Sequence, residues 1–306
     1  MAQVFLKHYI FTFSSYQEKR LYRKSSYVIP KLKRTMKSEQ KTVLVTGAAN
    51  GIGKAISLYL AEKGDIVIAC DIDQQGLEQF NNIENIKPYY MNVTEPESIV
   101  QVVEKVNKEF KGLDCLVNNA GLYLGGPLTE VDNDALLLSL KVNVFGTFLV
   151  TKYCFPLLRE KKGRIINLSS EVGRIAFPFN GPYSMTKYAI EAFSDSLRRE
   201  MQLFGIKVII LQPGAVKTQL LDKTKELFVK HLDGDYGHAV AKALAYLERD
   251  QRKGAEPELI AKKIYRILHM KHPKLRYKIK NSRSRRILEF LPAKLVDWLI
   301  KMVMLK

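Results

Sequence analysis

The sequence predicts a doubly wound parallel α/β sheet of about seven strands, flanked by helices and followed by a C-terminal helical extension. Three observations predict it. From Thr42 onward, continuous apolar runs alternate with segments of helical periodicity. A glycine-rich turn joins the first run to the first helical segment. Polar residues capable of chemistry recur just after the runs, at the strand ends where such sheets bind ligands. Strands that are apolar throughout belong to parallel sheets covered on both faces.

Each element follows from its own segment. "TVLVTG" is a short apolar run closed by glycine, and "GIGKAISLYLAEKG" has helical spacing with a glycine stop. "IVIACD" and "IKPYYMNV" read as the second and third strands. In "TEPESIVQVVEKVNKEF", Thr94 is the expected helix cap and Pro96 lies in the first turn. "DCLVNNAG" is the fourth strand, residues 132–160 a long helix, "GRIINLSS" the fifth strand, residues 182–204 a helix and "IKVIILQPG" the sixth strand. The segment after Thr218 is mostly helical, and "LRYKI" reads as a last strand.

The formal charge of +18 sits at the two ends. Residues 1–40 carry nine Lys/Arg against two Asp/Glu, and residues 271–306 carry eleven against two, which leaves +2 for residues 41–270. A nearly neutral centre argues against a nucleic-acid-binding core. Three domains follow: a basic extension (1–40), the α/β domain (41–280) and a basic amphipathic C-terminal helix (281–306). The first lacks the ~20 apolar residues that span a bilayer. It reads as a disordered basic arm, a targeting segment, or an extension ahead of a start at Met36. Cys70, Cys115 and Cys154 match no metal-ligand spacing and read as small buried hydrophobes in a reducing, cytoplasmic setting. Two glycosylation-type triplets, at Asn92 and Asn167, fall inside the predicted sheet region.

The pattern Tyr-x-x-x-Lys occurs three times, at Tyr27/Lys31, Tyr59/Lys63 and Tyr183/Lys187. Residues four apart share a helix face, so spacing alone does not choose among them. Gly47, Gly51 and Gly53 lie between a strand and a helix, where glycine lets the backbone approach a pyrophosphate at the positive helix end. Asp71 ends the second strand eighteen residues beyond Gly53. An acid there accepts hydrogen bonds from ribose hydroxyls and repels a 2′-phosphate. Neither Asn50 nor Ile72 supplies a cation to hold that phosphate. These residues favour NAD over NADP.

With "TGAANGIG", "NNAG", Asn143 in "KVNVFGTF", "NLSS", "YSMTK" and "PGAVKT" in order over residues 41–218, the chain resembles the short-chain dehydrogenase/reductase family, whose fold is Rossmann-type. The resemblance implies a catalytic set of Asn143, Ser170, Tyr183 and Lys187. It also implies a cofactor shell of Gly47, Asn50, Gly51, Ile52, Gly53, Asp71, Asn92, Val93, Asn119, Ala120, Gly121, Tyr183, Lys187, Pro213, Gly214, Val216 and Thr218, with no metal. In the family the serine lies about a dozen residues before the tyrosine; Ser170 lies thirteen before Tyr183, and strand alternation turns the adjacent Ser169 to the other face. That order selects Tyr183 over Tyr59 and Tyr27. The resemblance also implies that Asn143 positions a water reaching Lys187, and that Lys187 holds the nicotinamide ribose. Thr218 is expected to hold the carboxamide, and Asn92 to stand beside the adenine where aspartate is frequent.

Hydride transfer at a carbonyl carbon requires proton transfer at its oxygen. A free phenol titrates near ~10, and a neighbouring ammonium is expected to draw it down. Ser170 is expected to hydrogen-bond the substrate oxygen. The leucine, phenylalanine and alanine of the C-terminal third suit a lipophilic substrate. "RY…LPAKLVDWLI" is similar to the tail of the retinol and hydroxysteroid dehydrogenase branch, with 3-hydroxybutyrate dehydrogenase relatives. In that tail, Lys294, Asp297 and Lys301 form one polar stripe on an apolar helix, which either lies at an anionic membrane surface or packs on the body or a second subunit. The resemblance implies a homodimer or homotetramer through the helices of residues 132–160 and 182–204. The expected activity is NAD-dependent interconversion of a lipophilic alcohol and its ketone or aldehyde. The same chemistry on a small hydroxy acid and a non-catalytic dinucleotide-binding scaffold are the alternatives.

Overall fold

The computed structural model describes residues 39–219 and 225–305. Residues 1–38, and with them the three readings of the basic N-terminal segment, therefore lie outside the described residues, as does part of the helical stretch after Thr218.

Seven strands form one sheet in the order β3-β2-β1-β4-β5-β6-β7, every neighbouring pair parallel. They are β1 (Thr42–Thr46), β2 (Ile66–Asp71), β3 (Ile86–Tyr90), β4 (Cys115–Asn118), β5 (Arg164–Leu168), β6 (Lys207–Pro213) and β7 (Arg276–Ile279). Pro88 is tolerated because β3 is an edge strand. The strand order reverses between β1 and β4, which opens a crevice at their carboxyl ends.

Alternation sends successive side chains to opposite cores. Val43 and Val45 pack with Ile56 and Leu60 of α1 (Gly51–Glu62) and Ile260 and Ile264 of α9 (Pro257–His269). Leu44 instead packs with Val102 of α3 (Pro96–Phe110) and Leu149 and Leu158 of α5 (Thr147–Lys161). Two cores on one sheet explain why the strands read as continuously apolar. All three cysteines are buried within these cores, and burial pushes each thiol up, Cys154 to about 12. Asn167 is fully buried in β5, which excludes it as a glycosylation acceptor in the folded chain.

Two local expectations, the cap of α3 and the single C-terminal helix, need correction, and two predicted helices stand with added detail. The cap of α3 is Glu95, because Thr94 turns back, its N–H and hydroxyl both donating to Asn92 Oδ1. The long helix of residues 132–160 comprises α4 (Asn133–Leu140) and α5, joined by a π-helical turn at Lys141–Gly146. The next helix, α6 (Gly181–Met201), starts one residue early with Pro182 in its first turn and tightens at Gln202–Phe204. The C-terminal extension is two helices, since the basic run itself forms α10 (Arg283–Leu288) and a break at Leu291–Pro292 precedes α11 (Ala293–Ile300). Short α2 (Gln74–Leu77) and α7 (Lys225–Val229), with α8 (Gly237–Arg252), complete the helices named here.

Candidate active site

Thr46 ends β1 and hands the chain to the glycine turn. Gly47 has φ +66°, and a Cβ there would stand 2.8 Å from Ala120 Cα. A Cβ on Gly53 would meet the Gly47 carbonyl at 1.9 Å, so only glycine allows α1 to start this close to the strand end. The turn is braced from β4. Asn119 Nδ2 donates to the Thr46 and Gly47 carbonyls at 2.9 and 3.0 Å, while Thr46 Oγ1 accepts from the Asn119 and Ala120 amides. Asn50 leaves the start of α1 without a side-chain cap, so the amides of its first turn remain available to an anion. A cradle closed to side chains beside an uncapped helix start fits the pyrophosphate of a dinucleotide.

Asp71 is fixed at the mouth of this cradle. Its Oδ2 accepts from the Ala49 amide at 2.8 Å and its Oδ1 from the Asp73 amide at 3.0 Å. Asn50 donates to Asp73 at 3.2 Å, which turns its amide group along the rim. Asn92 folds onto its own loop, accepting from Thr94 and donating to Glu95 at 2.7 Å, so its side chain serves the turn. Val93 packs against Gly146, and Gly121 faces the Asn143 carboxamide. At the other rim the Gly214 amide donates to Ile279, Val216 bridges to Ala255, and Thr218 comes down beside Gly51. Ile52 packs at the edge of the core beneath. A cleft of about 580 Å³ beside Thr218 is lined by Lys217, Lys225, Glu248, Gln251 and Arg252. Two of its lysines are matched by acids, Lys217 with Glu256 and Lys225 with Glu248.

The four expected catalytic residues lie on neighbouring elements. Ser170 follows β5 and its Oγ accepts from the Val172 amide at 3.4 Å. Ser169 beside it is buried, and among the described residues its hydroxyl finds no hydrogen-bond partner. Tyr183 and Lys187 lie on the first turns of α6. Lys187 Nζ donates to the Leu168 carbonyl at 2.8 Å and stands 5.4 Å from the Tyr183 ring centroid. Asn143 occupies the π-helical turn. It accepts from the Leu122 amide at 2.7 Å and donates to the Leu122 carbonyl at 2.8 Å and to Thr186 Oγ1 at 3.0 Å. The turn therefore ties the fourth strand's loop to α6, a frequent use of π-bulges at functional sites.

The second Tyr-x-x-x-Lys copy is an internal control. Lys63 Nζ lies 5.2 Å from the Tyr59 ring, nearly the distance seen at Tyr183. Burial separates the two. Lys187 is 6% exposed, whereas the Lys63 side chain is 36% exposed and paired with Glu62.

Burial also corrects the expected electrostatics. In the protein alone the Tyr183 phenol is pushed up rather than drawn down, because desolvation penalises the phenolate. Desolvation likewise lowers Lys187 to about 8, with the Glu191 carboxylate opposing. At pH 7 the pair is therefore a neutral phenol beside a lysine that is still mainly an ammonium, and further positive charge in the pocket would favour the phenolate.

Three groups near the site escaped the sequence. Tyr123 lies with its ring 4.9 Å from that of Tyr183, and its buried hydroxyl has no hydrogen-bond partner among the described residues. It joins an apolar cluster of Phe179, Phe228, Val240 and Ala243, against which Ile300 of α11 also packs. His231 pairs with Glu130 at 2.6 Å. Glu171, next to Ser170, is ion-paired with Arg285. None carried a signal, because each partner lies 60 or more residues away in the chain.

A family model described as short chain dehydrogenase matches residues 41–227, more than half of the chain. The NADPH-dependent 3-dehydrocapnine reductase of Ornithobacterium rhinotracheale is 31% identical over 83% of this chain and 94% of its own length. The 17-beta-hydroxysteroid dehydrogenase type 6 of Homo sapiens is 32% identical over 86% of this chain and 88% of its own. Among solved structures, a short-chain dehydrogenase from Streptomyces avermitilis superposes with a TM-score of 0.71 at 28% identity, covering 85% of this chain and 96% of that one.

Proposed function

The chain belongs to the short-chain dehydrogenase family and is an NAD(P)-dependent oxidoreductase of CH–OH groups; on that premise we propose that it interconverts a lipophilic alcohol and its ketone or aldehyde, with NAD as partner. The observation that carries the reading is the burial of Lys187 behind Tyr183, beside the strand end that bears Ser170.

A dinucleotide held by the glycine turn, Asp71 and the Thr218 rim would supply or accept the hydride. The protein moves the proton. Tyr183 takes it from, or gives it to, the substrate oxygen, and Ser170 donates a hydrogen bond to that oxygen. Lys187, with its pKa near 8, is still mainly protonated at pH 7 and stabilises the phenolate as it forms. Asn143 holds the Leu122 loop against α6, keeping Tyr183 and Lys187 in register.

Asp71 supports NAD, since a carboxylate at the end of the second strand repels a 2′-phosphate; the relative from Ornithobacterium rhinotracheale is nonetheless named as NADPH-dependent. The apolar cluster beside Tyr183 supports a lipophilic substrate, as does the hydroxysteroid dehydrogenase among the relatives. The small-acid alternative is less favoured, because Lys217 and Lys225 in the cleft beside Thr218 already face carboxylates. The test is NAD(P)H-linked turnover over a panel of steroids, retinol and short hydroxy acids. Turnover of hydroxy acids only would replace the lipophilic reading.

We further propose that the C-terminal helices meet an anionic membrane surface, making this a cytoplasmic enzyme with peripheral attachment; packing on the body or on a second subunit is the alternative. Leu295, Trp298 and Met302, at helical spacing, are exposed on α11 and the turn after it, and Ile287 and Phe290 are exposed just before it in the chain. Basic side chains flank them. Exposed Leu138, Phe145, Phe148 and Tyr188, on α4, α6 and the segment between, support association with a second copy.

A further inference from the structure

Glu171 directly follows Ser170 and is only 4% exposed. Its carboxylate is ion-paired with Arg285 of α10, 114 residues away. The same guanidinium reaches Asp250 Oδ1 on α8 at 2.5 Å and lies 5.6 Å from the Tyr246 ring centroid. One buried cation thus joins the turn after β5, the helix bordering the substrate-side cluster, and the C-terminal tail.

The turn it holds is the one that carries Ser170. Ser170 Oγ accepts from the Val172 amide, the Gly173 amide donates to the Ser170 carbonyl at 3.1 Å, and the Arg174 amide to the Glu171 carbonyl at 3.1 Å. Displacing Glu171 therefore displaces the backbone that aims the serine. Removing the guanidinium would leave Glu171, buried, and Asp250, partly exposed, without their shared partner, so that Glu171 must either hold a proton or move away.

We propose that Arg285 is a positioning residue for Ser170, so that the C-terminal tail acts in the reaction as well as at a surface. The proposal rests on the oxidoreductase reading for its kinetic arm only.

The test uses the full chain with Arg285→Met, Arg285→Lys and the double variant Glu171→Gln/Arg285→Met. Hydrogen–deuterium exchange is followed for residues 169–174 and 46–53. NADH affinity is read by fluorescence, and kcat and KM are measured with a panel alcohol that the wild type turns over. Arg285→Met is expected to raise exchange at 169–174 but not at 46–53. It should lower kcat by about tenfold or more, with NADH affinity kept. The double variant, which leaves only one acid there, should recover most of kcat, and Arg285→Lys part of it. Unchanged exchange at 169–174 would overturn the proposal, as would a variant with a lower melting temperature but unaltered kcat. A double variant as slow as Arg285→Met would overturn it too. A wild type that turns over nothing while binding NADH would count against the oxidoreductase reading, and the exchange arm would still decide the positioning claim.

Discussion

Lys187 Nζ donates to the Leu168 carbonyl at 2.8 Å, two residues before Ser170. That bond links the helix that carries the tyrosine to the strand that carries the serine, and it buries a lysine to do so.

The burial has a thermodynamic consequence. Folding lowers the Lys187 pKa from 10.5 to about 8, so between those values the unfolded chain binds more protons and stability rises with pH; below 8 the penalty is fully present. At ~1.4 kcal/mol per unit the penalty is about 3 kcal/mol, against about 1.5–3 for the lost hydrogen bond from a charged donor to Leu168. Lys187→Met is therefore expected to hold or slightly raise the melting temperature at pH 7 while abolishing turnover. A lower melting temperature would show that the hydrogen bond outweighs desolvation.

Glu171 titrates in the opposite sense. Burial raises it to about 7, Asp250 and Glu289 push the same way, and the facing Arg285 opposes. The folded chain then holds this proton more tightly than the unfolded one, so stability contributed here falls as pH rises from about 4.5 to 7. Melting temperatures of wild type and Glu171→Gln across that window are expected to diverge, the wild type declining more steeply. Parallel curves would mean that Glu171 keeps an ordinary carboxylate pKa in the fold.

Cofactor choice rests on Asp71. The wild type is expected to use NAD more efficiently than NADP, and Asp71→Asn, which keeps the acceptor for the Ala49 amide, to improve kcat/KM for NADP by roughly tenfold or more. Steady-state kinetics with both cofactors decide it. Wild-type preference for NADP would remove the role given to this carboxylate.

Trp298 is the only tryptophan in the chain and is 58% exposed on α11. Its emission is expected to shift to the blue with phosphatidylserine-containing vesicles, less so at high salt, and not with phosphatidylcholine alone. No shift with either vesicle would assign α11 to a protein contact.

The glycine turn, the strand-end acid and the order serine, tyrosine, lysine were legible because each is a local pattern whose meaning depends on a neighbouring strand or helix. The last strand at Arg276–Ile279 was legible for the same reason. What escaped depends on contacts distant in sequence. Tyr123 meets Tyr183, and Arg285 meets Glu171, only once the sheet has assembled. The direction of the Tyr183 shift escaped as well, because it is set by how deeply the pair is buried. The π-helical turn around Asn143 leaves no compositional mark.

The measurement that tests the central claim most directly is dinucleotide-linked turnover of a panel alcohol by wild type, Tyr183→Phe and Tyr59→Phe, with NADH affinity measured on all three. The expected result is a loss of about 10²–10⁴ in kcat for Tyr183→Phe alone, with NADH still bound. Equal activity in wild type and Tyr183→Phe would contradict the assignment of the buried Tyr183/Lys187 pair as the proton-transfer centre.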